Sequence, residues 1–116
     1  MRRDMNLIRL LLLEYEDEEP KPDLSAYTEA ELVEHSALVI EAGLVHGQVL
    51  KSSDGNPRGT AVLRLTWAGH EFLAAARNET IWKKAVEQIT RAGVSVTVSV
   101  LQELLKQYLR QELGIP

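Results

Sequence analysis

The stretch Glu41–Leu73 decides the fold: E-A-G-L-V-H-G-Q-V-L-K, then S-S-D-G-N-P-R-G, then T-A-V-L-R-L-T-W-A-G-H-E-F-L. It reads as a helix end, a β-hairpin and a helix start. Gly43 follows an apolar helical pattern, at the position where a left-handed residue closes a helix and glycine adopts it cheaply. Leu44, Val45, Val49 and Leu50 make a first strand, with His46 and Gln48 as polar interruptions. Thr60, Val62, Arg64 and Thr66 alternate with Ala61, Leu63, Leu65 and Trp67, a period of two that makes a second strand. Between them Ser52–Gly59 are turn formers with almost no apolar content. That loop exceeds a two-residue hairpin turn and predicts a flexible tip. Thr66 is a natural N-cap, with Trp67, His70, Phe72 and Leu73 following at helical spacing. The expected fold is α+β and mostly helical. It is a winged helix with an abbreviated helix-turn-helix, built from residues 1–77 with the wing hairpin at 44–66. Residues 78–116 form a C-terminal helical extension that packs on the core or on a second subunit.

Working outward, Asp4 caps a first helix whose Met5, Ile8, Leu11, Leu12 and Tyr15 recur at helical spacing, widened by Leu7, Leu10 and Leu13. The helix dissolves in Asp17-Glu18-Glu19-Pro20, where acids oppose the macrodipole and proline cannot continue. Thr28 and Glu31 form a capping box for a helix running to Ala42. On its wheel Leu32, His35, Leu38, Val39 and Ala42 share one face, and Ala30, Glu34, Ala37 and Glu41 the other. His35 is therefore expected as a core histidine satisfied by a backbone carbonyl. This helix holds the place of a recognition helix yet presents Glu34 and Glu41 and no base. Only one helix fits between Pro22 and Gly43, where a full helix-turn-helix needs two. Beyond the hairpin, Asn78 caps a helix to Ala92 with Ile81, Trp82, Ala85, Val86 and Ile89 inward, and Gly93 ends it. Val94, Val96, Val98 and Val100 alternate with small polar residues. They predict a short extended piece, after which a leucine-rich helix runs from about Thr97 to Glu112.

At 116 residues the chain is one domain, and 45% apolar content supplies a core. The absence of cysteine excludes disulfides and thiolate metal sites. The apolar run Leu7–Leu13 contains Arg9 and is about a third of a bilayer span. The acidic run after it, with no small-residue cleavage site, argues against a signal peptide. A soluble cytoplasmic protein with no membrane partner is expected. Charge is unevenly spread: residues 1–13 are net +2, residues 14–41 net −9, and residues 42–116 net +3, within a total of −4.

The chain resembles a family of small uncharacterised proteins of bacteria and their phages, a domain of unknown function. The likeness rests on M-R-R-D-M-N-L-I-R (Met1–Arg9), E-H-S-A-L-V-I-E-A-G-L-V (Glu34–Val45), R-L-T-W-A-G-H-E-F-L (Arg64–Leu73), N-E-T-I-W-K-K (Asn78–Lys84) and V-L-Q-E-L-L (Val100–Leu105). Ser36 and Ala37 depart from its usual central helix, a change expected to loosen packing. L-T-x-x-G-x-x-x-L is similar to the helix after the wing in bacterial winged-helix repressors. The resemblance implies a winged-helix fold. It implies no activity, so no functional residue transfers from it.

Enzyme readings fail on inventory. His70-Glu71 begins like H-E-x-x-H, but Ala74 stands where the second zinc ligand belongs. His35, His46 and His70 are too scattered for a metal site, no phosphate loop precedes a helix, and no cofactor is expected. Two readings remain. One is a double-stranded-DNA-binding regulator of bacterial or phage origin, with Arg2, Arg3, Lys51, Arg58 and Arg64 on phosphates and Ser36 or its neighbours near bases. The other is a non-catalytic protein-interaction module whose acidic helix 28–42, through Glu34 and Glu41, meets a basic partner. His35, Gly43, Trp67, His70 and Trp82 are expected to be structural. The terminal helix predicts a homodimer.

Overall fold

The computed structural model describes residues 3–93 and 97–115. Its elements in chain order are α1 (Met5–Glu16), α2 (Glu29–Glu41), β1 (Val45–Lys51), β2 (Pro57–Leu65), α3 (Trp67–Ala76), α4 (Glu79–Ala92) and α5 (Val98–Leu113). The class is α+β, mostly helical, with one antiparallel two-stranded sheet among the described residues. The chain forms two compact units, Met1–His70 and Glu71–Pro116, and the division falls inside α3.

In the first unit, the Asp4 side chain accepts from the Leu7 N–H and starts α1. Leu7, Ile8, Leu11 and Leu12 are buried, and α1 packs on α2 and β2. Asp17 ends α1 in the left-handed conformation, at φ 61°. Lys21 reaches back to the Asp17 carboxylate at 2.5 Å and to the Glu14 carbonyl at 3.3 Å. The hydrogen bond from Lys21 holds the Asp17 carboxyl below its ordinary range. α2 begins with the expected capping box. The Thr28 hydroxyl accepts from the Glu31 N–H at 3.1 Å, and the Glu31 carboxylate accepts from the Thr28 N–H at 2.9 Å. The helical wheel places Ala37 outward with Glu34. Instead Ala37 is buried and Glu34 half-buried, because α2 packs against α1 as well as both strands.

The hairpin corrects the sequence reading in its most informative place. Val45 pairs with Leu65 and His46 with Arg64, but Gly47 pairs with Val62, so Leu63 is an extra residue in β2. A second irregularity leaves Arg58 extra, between Leu50↔Gly59 and Lys51↔Pro57. An inserted residue reverses the facing of the strand beyond it. Strict alternation would group Ala61, Leu63, Leu65 and Trp67. The bulge instead buries Leu65, half-buries Val62 and leaves Ala61 and Leu63 exposed. Gly47 lies opposite the bulge because a Cβ there would come within 2.5 Å of the Ala61 carbonyl oxygen. The loop is shorter than expected, since pairing continues to Pro57. Its tip is hydrogen-bonded within itself: Ser52 N–H to the Asn56 carbonyl, Gly55 N–H to the Ser52 carbonyl, and Asn56 N–H to the Asp54 carboxylate.

Thr66 joins the end of α2 to the start of α3. Its hydroxyl donates to the Gly43 carbonyl at 2.6 Å and accepts from the Gly69 N–H at 3.0 Å. Its own N–H donates to the Leu44 carbonyl at 3.0 Å. Thr66→Val keeps the shape and loses both hydroxyl bonds, so stability should fall by about 1–2 kcal/mol, as for other lost N-caps. Thr66→Ser should keep most of it. Thermal unfolding checks this, and equal melting of Thr66→Val and the wild type would contradict it.

In the second unit α4 packs on α5. Asn78 caps α4 by accepting from the Ile81 N–H at 3.1 Å, and Gly93 ends it at φ 68°. Ile81, Trp82 and Ala85 of α4 and Val98, Leu101 and Leu105 of α5 are buried. Lys84 sits 6.0 Å from the centre of the Tyr108 ring. α5 begins where expected, after Thr97, whose hydroxyl caps it by accepting from the Val100 N–H. The cap and the Leu101 and Leu105 stripe outweigh the two-residue period. Val94, Ser95 and Val96 lie outside the described residues. Among the described residues, no helix is long and apolar enough to cross a membrane.

Candidate functional site

The hairpin collects the cations of the first unit's second half. From Ala42 to His70 the chain carries Lys51, Arg58 and Arg64 against Asp54 alone, with Glu71 directly after. Arg58, lifted out of register by its bulge, lays its Nε against the Lys51 carbonyl at 3.3 Å. The two basic residues therefore meet at the distal end of the hairpin, and both are exposed. Asp54 at the tip is fastened by the Ser52 hydroxyl and the Asn56 N–H. The Ser52 bond above all holds its carboxyl below the ordinary range, so Asp54 is ionised at neutral pH. The tip thus offers two cations against one occupied carboxylate. Arg64 lies opposite His46 on the exposed face, its guanidinium reaching the Leu65 carbonyl at 3.5 Å.

Two large apolar side chains of the same segment are exposed. Leu63 is 85% exposed and Trp67, the first residue of α3, 80% exposed. The exposure of Trp67 departs from its expected structural role and has a simple cause. The buried stripe of α3 runs through Gly69, Phe72, Leu73, Ala75 and Ala76. At 100° per residue Trp67 lies about 160° from Gly69 on that wheel. His70, also expected to be structural, is exposed outside the same stripe. Sequence reasoning missed Leu63, although Gly47 inside a strand pattern was a signal for the bulge that exposes it.

The other expected residues are dispersed. Arg3 is exposed just before α1, and Arg2 lies outside the described residues. Ser36, offered as a neighbour of bases, is 4% exposed and shares a 2.5 Å hydrogen bond with the Tyr15 hydroxyl, so it is committed to the core. That bond also uses the position where looser packing was expected. Glu41 is exposed and Glu34 half-buried. His35 is 1% exposed: its Nδ1 donates to the Glu31 carbonyl at 2.8 Å and its Nε2 accepts from the Asp4 N–H at 2.9 Å. Because a backbone N–H can only donate, the ring is the neutral tautomer protonated on Nδ1. Gly43 takes φ 77° after α2, and Trp82 is buried in the second unit. No three His, Asp or Glu among the described residues are grouped to hold a metal ion.

The model of the family described as "Hypothetical protein (DUF2513)" matches residues 2–95. The chain belongs to that family. The DUF2513 match takes in α1 to α4 and the whole hairpin with Lys51, Arg58, Leu63, Arg64 and Trp67, and it ends before α5. All the quoted motifs except Val100–Leu105 and the first residue, Met1, fall inside it. The chain is also similar to a protein of Haemophilus influenzae strain Rd, "Uncharacterized protein", at 28% identity over 120 residues, covering 98% of this chain and 100% of that one. No solved structure matches.

Proposed function

We propose that this DUF2513 protein is a winged-helix protein that binds double-stranded DNA through its hairpin, as a bacterial or phage regulator. The observation that carries the reading is the placing of exposed Lys51 and Arg58 on the two strands beside the turn, Lys51 paired with Pro57, in a hairpin whose other cation, Arg64, is also exposed. The order helix, hairpin, helix supports it, closed locally by Gly43 and Thr66. A groove-reading role for α2 has no support: that helix is packed against α1 and both strands and carries no Lys or Arg. The wing, not the helix, is the contact element in this reading. Binding is phosphate-directed and weak in sequence preference, because α2 brings no basic side chain to read a groove beside the wing. The alternative, an interaction module using α2, is less well supplied, since Glu31 is occupied by the capping box and Glu34 is half-buried. A cytoplasmic homodimer through α5 belongs to the proposal. Leu113 and Ile115 are exposed at its end, and light scattering that finds a monomer at tens of micromolar would remove the dimer.

Fluorescence anisotropy of a labelled mixed-sequence duplex tests the reading. The wild type should bind at low salt, and Lys51→Ala/Arg58→Ala should bind roughly ten-fold more weakly or worse, while melting as the wild type does. Absence of binding at low salt, or equal binding by the double variant, would overturn it.

A further inference from the structure

We infer that His46 and Arg64 form a phosphate-binding pair on the outward face of the hairpin, and that a phosphate seated there takes up a proton on His46. The phosphate is a group of a duplex backbone, a source that rests on the reading of the hairpin as the DNA-contacting element. His46 of β1 stands directly opposite Arg64 of β2 in the ladder. Direct cross-strand neighbours hold their Cβ atoms about 4.5–5.5 Å apart, so the two side chains leave the sheet side by side. Both are exposed, and exposure alternates along β1: Val45 is buried, His46 exposed, Gly47 half-buried and Gln48 exposed. The pleat therefore sets the outward face. Its next pair is Gln48 opposite Ala61, both exposed, which adds an amide donor beside a small side chain.

The surroundings select an anion and leave the pair uncommitted. Among the described residues the His46 ring has no hydrogen-bond or ion-pair partner, and Arg64 has only the Leu65 carbonyl, at 3.5 Å. Neither strand contains an acid. Of the elements packed on the strands, α2 carries Glu31, used in its cap, half-buried Glu34, and exposed Glu29 and Glu41. α1 packs on β2 and carries Arg9, Glu14, Tyr15 and Glu16. At the two ends of the hairpin, α3 brings His70 and then Glu71, and the turn brings Asp54, held by Ser52 and Asn56. A charged imidazole beside a guanidinium is repelled, and an anion between them removes that repulsion. Phosphate suits both donors: the guanidinium fork takes two of its oxygens and an imidazole N–H a third. Phosphate binding and proton uptake are therefore linked, each strengthening the other. Histidine ordinarily charges near about pH 6.5, so the added charge is gained as pH falls towards 6 and lost as it rises towards 8. Lys51 lies five residues further along β1, about 17 Å at the rise of a strand. A run of duplex phosphates covers that separation, and a single small anion does not.

The test uses the full chain and two probes. The first is a labelled mixed-sequence duplex, followed by anisotropy at about pH 8 and pH 6. Between the two the wild type should tighten roughly ten-fold at low salt, and its salt slope should steepen by about 0.9, the share of one further phosphate contact. His46→Gln should lose both changes. His46→Lys, charged at either pH, should bind as tightly at the higher pH as at the lower. The other histidines, buried His35 and exposed His70, are present in every variant and cancel. The second probe is inorganic phosphate, compared with chloride at equal ionic strength and followed through the His46 ring signals by nuclear magnetic resonance. Phosphate should move the midpoint of the His46 titration upward by about half a unit or more, and much less in Arg64→Gln. Duplex binding whose pH dependence survives His46→Gln, with phosphate leaving the His46 ring unmoved, would overturn this inference and leave the hairpin reading standing. Absence of duplex binding, with phosphate still moving the ring, would overturn the hairpin reading and keep the phosphate pair. An Arg64→Gln protein that responds to phosphate as the wild type does would overturn the pair. Melting of each variant at both pH values separates these results from unfolding.

Discussion

Replacing His35 by alanine should destabilise the protein by about 2–4 kcal/mol, from an orphaned, part-buried donor and a core cavity together. The imidazole bridges two helices. Its Nδ1–H satisfies the Glu31 carbonyl within α2, and its Nε2 satisfies the Asp4 N–H at the start of α1. Asp4 is also the cap of α1, so the loss falls where that helix is initiated. Alanine leaves the Asp4 N–H without its acceptor, and removing the buried ring leaves a void in the core. His35→Leu fills more of the void but still orphans the donor, so it should fall between. Urea unfolding of the three proteins measures this. A His35→Ala change within about 1 kcal/mol of the wild type, below even one lost hydrogen bond to a buried group, would show that the bridge contributes little.

Gly69→Ala should also destabilise, although it replaces glycine by the best helix former. In an exposed helix interior that exchange gains about 1 kcal/mol. Here the added methyl would overlap the Leu44 carbonyl oxygen and crowd the Leu65 side chain at 3.4 Å. The obstacle is backbone, and that carbonyl is already held by the Thr66 N–H. Forced overpacking of this kind costs about 1–3 kcal/mol and more when backbone must move, so the net loss should be about 2 kcal/mol. For a chain near this size that corresponds to a melting temperature lower by roughly 8 °C or more. A higher melting temperature for Gly69→Ala would mean that α3 can slide away from the β1 end at little cost. Ala68→Gly, one position earlier on the helix, is the control for helix propensity alone.

These two residues show which features a sequence exposes. The caps at Asp4, Thr28, Thr66 and Asn78 and the stops at Gly43 and Gly93 are local chemistry, legible from a few neighbouring letters, and the helices start and end on them. His35 was legible as a core residue because it falls in an apolar stripe, but its second partner, Asp4, is thirty-one positions away. Facing was less legible. Ala37 looks outward on the wheel of α2 and is buried because several elements pack on that helix. The start of α5 at Thr97 was legible from its cap and from the Leu101 and Leu105 stripe, despite the two-residue period of the valines. Leu63 depends on the pairing of two strands, which no period within one strand encodes; only Gly47, on the other strand, hinted at it. The candidate site was therefore half visible. Lys51, Arg58 and Arg64 followed from charge and turn composition, whereas the exposure of Leu63 depends on a bulge.

The exposure of the hairpin cations is the main support for the DNA-binding proposal. The acidic helix, prominent in the sequence, buries His35, Ser36, Ala37 and Val39 but none of its acids: Glu29 and Glu41 are exposed, Glu34 is half-buried and Glu31 is used in the cap. The hairpin, outwardly a solvated turn, carries two bulges that present Arg58 and Leu63.

The salt dependence of duplex binding tests the DNA-binding account most directly. Three phosphate contacts through Lys51, Arg58 and Arg64 predict a slope of about −2.7 for log K against log salt, or a roughly 40-fold loss of affinity between about 50 and 200 mM. Lys51→Ala/Arg58→Ala should flatten that slope to about −0.9. A protein that binds no duplex at the lowest salt, or whose slope is unchanged by removing both tip cations, would contradict the account.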